Sequence, residues 1–141
     1  MNVPKLLSAL NDESNEKLFD FTSDTIKQMN LNMIQELHLP RNESLAILRK
    51  LIQYRYVDEL SDLKHGTYIR WISLENPSEI VLTRGAMFCE VKLTDDGIFL
   101  LCKNVGFNAK HFRIEMDKNL IFQKLTSQEL TLLSALDYLS K

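Results

Sequence analysis

The chain has 141 residues, a formal charge of −2, and 45% hydrophobic and 26% charged residues, the balance of an ordinary globular protein and not of a disordered chain. No apolar run approaches the roughly 18–20 residues that cross a bilayer. The apolar patch at the N-terminus is broken by Pro4 and Lys5 and followed at once by acids, so no secretory signal and an intracellular compartment are expected.

The first forty residues read as helix. After Asp12, a capping residue, Leu18, Phe21, Ile26, Met29, Met33 and Leu37 recur mostly at spacings of three, four or five. Thr22, Ser23 and several asparagines weaken the propensity, which predicts a break near Asn30. Pro40 stops what precedes it, and Asn42 is the expected cap of a second helix with Leu45, Leu48, Leu51 and Ile52 on one stripe. Arg49, Lys50 and Arg55 come nearest to a basic patch and read as a solvated helix face. The segment from Tyr54 to Leu63 reads as a linker or a further turn of helix.

From Gly66 the period changes to two. Tyr68, Arg70, Ile72 and Leu74 alternate with Thr67, Ile69, Trp71 and Ser73, and both sets are partly apolar, as expected of a strand covered on both faces. A turn at Asn76-Pro77-Ser78 leads to a second strand region, with Gly85 as a bulge or bend. Asp96-Gly97 is the favoured pair for a two-residue hairpin loop, and that register sets Leu93 against Leu100, Val91 against Cys102 and Glu90 against Lys103. It makes Cys89 and Cys102 diagonal neighbours, about 7–8 Å apart, which favours two buried thiols over a disulfide. Two more strands follow, with Phe112 and Ile114 inward and a turn at Asp117-Lys118-Asn119. The expected architecture is α+β: N-terminal helices over residues 1–64, then a five-stranded small antiparallel barrel of SH3/Tudor-like or OB-like type with a C-terminal helix over 65–141. Thr126-Ser127-Gln128-Glu129 is a capping box for that helix, whose Leu130, Leu132, Leu133, Leu136 and Leu139 need burial against the barrel, the N-terminal helices or a partner chain.

The motifs of bond-making chemistry do not appear. His38, His65 and His111 lie far apart and none has a second ligand at metal spacing, so neither a metal nor a cofactor is expected. Cys89 and Cys102 lie on an apolar face without a base. Residues 65–125 carry eight Lys and Arg against seven Asp and Glu, which is short of the basic excess of most nucleic-acid binders. The suggestive residues are aromatic and cationic: Tyr68, Arg70, Trp71, Phe88, Phe107 and Arg113 outline a candidate interaction surface, a groove or aromatic cage. The competing account makes Trp71 a filler between barrel and helix, with Arg70 paired to Asp58, Glu59 or Asp62.

The run YRYVDELSDLKHGTYIRWI, residues 54–72, together with IFQKLTSQELTLLSALDYL near the C-terminus, resembles small proteins encoded by large nucleocytoplasmic DNA viruses. These share a Tyr-Arg-Tyr-Val-Asp-Glu-Leu segment, a glycine two residues before Tyr-Ile-Arg-Trp-Ile, and a closing helix. The resemblance covers roughly the last ninety residues and carries no catalytic signature. It implies a virus factory or virion as the setting. The expectation is a non-enzymatic protein-interaction module with a protein partner and no membrane. The alternative is a nucleic-acid-associated factor using Arg70, Arg84 and Arg113.

Overall fold

Helix α1 (Val3–Asn11) starts where Asn2 accepts a hydrogen bond from the Lys5 amide at 3.0 Å and Pro4 sits in the first turn, where a missing N–H leaves no bond unmade. The computed structural model describes residues 2–106 and 108–141 and forms two compact units, residues 1–48 with 125–141 and residues 49–124. The closing helix groups with the N-terminal helices.

In the helical unit, Asp12 ends α1 and caps a 3-10 helix (Glu13–Asp20) by accepting from the Ser14 amide at 2.9 Å. Helix α2 (Ser23–Gln35) opens on a reciprocal pair in which the Thr22 and Thr25 hydroxyls accept from each other's amides. It runs unbroken through Asn30, which is buried, so the expected break is absent. Helix α3 (Arg41–Lys50) begins directly after Pro40, whose carbonyl accepts from the Ser44 amide at 3.0 Å; Asn42 lies inside the helix and is not its cap. Helix α4 (Ser127–Leu139) carries the expected capping box, with the Thr126 amide donating to Glu129 at 2.8 Å and the Glu129 amide to Thr126 at 3.1 Å. It packs on α1, the 3-10 helix and α2. Ala9, Leu18, Ile26, Leu125, Leu132 and Leu133 form the buried cluster of this unit.

The second unit is a six-stranded antiparallel sheet: β1 (Tyr54–Val57), β2 (Tyr68–Ser73), β3 (Ala86–Thr94), β4 (Gly97–Lys103), β5 (His111–Glu115) and β6 (Asn119–Lys124), in the order β1-β6-β2-β3-β4-β5. The five-stranded barrel expected from the sequence is replaced by an open sheet whose two edges are β1 and β5. The added strand is β1, within the segment read as a linker. Its alternation is disguised because Arg55, a residue that usually marks a solvated face, is buried together with Val57.

The hairpin also departs from expectation. Thr94 faces Gly97 and Val91 faces Leu100, so the loop residues are Asp95 and Asp96, and Gly97, at φ +137°, begins β4. The Thr94 side chain fixes this choice by accepting from the Asp96 amide at 3.2 Å and donating to the Gly97 carbonyl at 3.1 Å. The pairing differs from the expected one by two residues, which preserves the faces. A bulge at Cys89 then shifts the register so that Phe88 pairs with Cys102. His65 Nδ1 contacts the Cys89 carbonyl there, and Gly66 and Phe88 are joined by a 2.8 Å bond from the Gly66 amide. The main core cluster covers one face of the sheet, with Val57, Ile69, Ala86, Phe88, Leu100, Cys102 and Ile121 buried and Leu60, Leu63, Trp71, Phe112 and Ile114 packed against them; on the opposite face Ile72, Leu120 and Phe122 are buried as well, so β2 is covered on both sides.

Both cysteines are free thiols, Cys89 half-buried and Cys102 buried. Burial, with a smaller contribution from neighbouring Cys89, pushes the Cys102 thiol from an ordinary 9.0 up to about 12. Unfolding therefore releases this proton between those values, and stability present below pH 9 is lost as pH rises toward about 12. In urea titrations across this window, wild type is expected to lose up to about 1.4 kcal/mol more per pH unit than Cys102→Ala. Parallel curves for the two proteins would contradict the assignment.

Candidate interaction surface

Neighbouring residues of a strand point to opposite sides of its sheet, and this divides the six aromatic and cationic candidates. Trp71 and Phe88 belong to the core face. Phe88 is buried, and Trp71, half-buried, packs on Phe112 with ring centroids 5.9 Å apart and planes inclined by 49°. Trp71 thus packs on the core face of the sheet, beside a residue of β5. Tyr68, Arg70 and Arg113 lie on the other face. Phe107 lies outside the described residues.

On that second face, Tyr68 and Arg70 stand two residues apart on β2. The Tyr68 hydroxyl donates to the Arg84 carbonyl at 2.9 Å. Arg70 Nε donates to the Thr83 carbonyl, also at 2.9 Å, and its guanidinium carbon lies 6.0 Å from the centre of the Tyr54 ring. Burial raises the Tyr54 phenol pKa, and the Arg70 charge opposes that shift. Arg70 therefore braces the 83–84 segment and covers Tyr54, in place of the expected carboxylate pairing. Arg113 lies 4.2 Å above the Phe99 ring. Strands β3 and β4 separate β2 from β5, so Arg113 is about 14 Å from the Tyr68–Arg70 pair at ordinary strand spacing. The candidates do not form one cage.

A buried polar network escaped the sequence reading. Arg55 and Asp62 form an ion pair at 3.7 Å with side chains 3% and 2% exposed. Gln123, opposite Arg55 in the β1–β6 ladder, donates through Nε2 to the Asp62 carbonyl at 2.8 Å and accepts from the Lys64 amide at 2.7 Å. The Thr67 hydroxyl lies 2.8 Å from the Gln123 acceptor and 2.6 Å from the Lys64 carbonyl. These groups fasten the 59–67 connection over the end of the sheet. The only signal in the sequence was an Arg and an Asp flanking apolar residues, a pattern far commoner on surfaces.

Concave regions flank the helices and the sheet, and two of them are defined by their linings. One, of about 360 Å³, is lined by Ser23, Leu130, Leu133, Ser134, Asp137, Tyr138 and Lys141. Its carboxylate is committed to capping α2, with Asp137 accepting from the Ser23 amide at 2.8 Å and from its hydroxyl at 2.6 Å. The other, of about 230 Å³, lies on the sheet unit beside Tyr56, Met116 and Asn119. Among the described residues no group of three His, Cys, Asp or Glu side chains is placed to hold a metal ion, and no helix is long and apolar enough to cross a membrane.

The two units together define an α+β protein with helices at both ends of the chain and an open antiparallel sheet between them. Comparison with protein-family models, curated proteins and solved structures finds no match.

Proposed function

We propose that the chain is a non-enzymatic protein-interaction module, acting as a virion or assembly component or as an adaptor in the setting the resemblance implies. The observation that carries this reading is the outer side of α1. Val3, Leu7 and Leu10 are 58%, 55% and 43% exposed and fall within one narrow arc of the helix, at spacings of four and three. Ala9, on another side of the same helix, is buried in the cluster of its unit. A contiguous apolar stripe left in water beside a satisfied core is the mark of a surface that a partner covers.

A nucleic-acid-associated role has weaker support, because Arg70 is engaged by Thr83 and Tyr54, and Arg113 by Phe99. The test is affinity capture from the native source with wild type and with Leu7→Glu/Leu10→Glu. The expected result is a protein retained in stoichiometric amount by wild type and lost by the variant, whose melting temperature stays within about 2 °C, as for surface substitutions. Equal recovery by both proteins would remove α1 as the carrier of the reading.

A further inference from the structure

Strand β5 ends the sheet on one side. Its ladder with β4 sets Phe99, Leu101 and Lys103 against Glu115, Arg113 and His111, and the Asn104 amide donates to the Lys110 carbonyl at 3.0 Å in the next pair of the same register. Antiparallel ladders alternate bonded with non-bonded pairs. Lys110, Phe112 and Ile114 therefore turn their main-chain groups toward β4, whereas His111, Arg113 and Glu115 turn theirs away from the sheet. Asn119 Nδ2 satisfies the Glu115 carbonyl at 2.7 Å. The main-chain N–H and C=O groups of His111 and Arg113 are left facing solvent at the spacing another strand requires.

The side chains along this edge select by charge. Lys110, His111 and Arg113 are exposed. Lys103 stands behind His111 on the neighbouring strand. Glu115, at the far end, pairs with Lys118 at 3.1 Å, a lysine that Glu75 shares at 3.4 Å. Arg113 stacks over Phe99 at 4.2 Å, which orders its guanidinium in advance of any ligand and lowers the entropy lost on pairing.

We propose that β5 accepts an extended acidic segment of a partner protein as a seventh strand. The partner's main chain bonds to His111 and Arg113, and its carboxylates on the solvent face meet Arg113, His111 and Lys103. A nucleic-acid strand answers the charge but not the edge, because phosphates accept from N–H groups and leave the alternating carbonyls without donors. The inference rests on the protein-interaction reading but uses a surface other than α1, so the two can fail separately.

The test uses the full chain, isotopically labelled, and an acetylated, amidated heptapeptide alternating glutamate and valine. On saturation the His111 and Arg113 amides are expected to shift and to exchange with solvent at least about tenfold more slowly, as amides do when they enter a ladder. The same peptide N-methylated on its pairing edge is expected to bind about tenfold more weakly or worse, through loss of its main-chain donors. Arg113→Glu is expected to weaken the unmodified peptide by a similar factor. Unchanged affinity of the N-methylated peptide, unchanged exchange at His111 and Arg113, or no peptide binding at all would each overturn the proposal. So would a single-stranded oligothymidine that displaces the peptide with a steep salt dependence, since the edge would then read phosphate. Capture through α1, assayed with Leu7→Glu/Leu10→Glu, is measured separately and stands or falls apart from these outcomes.

Discussion

Gly85→Ala is expected to lower the unfolding free energy by about 3 kcal/mol or more, the sum of backbone strain and overpacking. Gly85 precedes β3 with φ +91°, and a Cβ there would lie 2.2 Å from the Ile69 carbonyl and 2.9 Å from Arg70 Cγ and Tyr68 Cε1. The two side-chain atoms belong to flexible groups and can retreat. The Ile69 carbonyl cannot, because Ile69 is held between Gln123 of β6 and Ala86 of β3. The turn into β3 therefore depends on the missing side chain as much as on the unusual backbone angle.

Gly66→Ala separates the two contributions. Gly66 has a similar φ of +84°, but a Cβ there meets nothing within 4 Å, so only the left-handed strain applies, about 1–2 kcal/mol. Urea denaturation of the three proteins gives the comparison. Equal losses from the two substitutions would show that the close approach to Ile69 contributes nothing.

Removing one member of the buried ion pair has the second large effect. Asp62→Ala leaves the Arg55 guanidinium, 3% exposed, without the carboxylate beside it, and the expected loss is about 3–5 kcal/mol. The pair itself need not stabilise the fold, because two charges were desolvated to form it. Replacing both partners with apolar residues of similar size, Arg55→Met with Asp62→Leu, is expected to recover most of the loss. Gln123 keeps its place in either protein, since its donor goes to the Asp62 main chain and its acceptor to the Lys64 amide. A double-mutant cycle of unfolding free energies isolates the coupling. A loss below about 1 kcal/mol for Asp62→Ala would mean that water reaches Arg55 and that the network is a surface feature.

Local chemistry is what a sequence states most directly, and here it located the caps at Asp12 and Thr126 and the change of period, though not the start of α3. The Thr126–Glu129 box, the cap at Asp12 and the alternation through Tyr68–Ser73 all involve residues within a few positions of each other, so their signals survive without knowledge of the rest of the chain. The hairpin between β3 and β4 was legible as a hairpin. Its register was not, because Thr94, through two side-chain bonds, moves the loop one residue from the Asp-Gly pair that propensity favours.

The tertiary structure decided which strands meet and which face of the sheet is core. Strand β1 exists because Tyr54–Val57 pairs with residues 121–124, more than sixty positions away, and its four residues have too little periodicity to announce a strand alone. That pairing brings Arg55 beside Gln123, where it is buried, while the strand order leaves Arg113 on the outer edge at β5. Capping and alternation are set by neighbours along the chain. Burial, register and edge exposure are set by neighbours across it, and a single sequence does not record who those neighbours are.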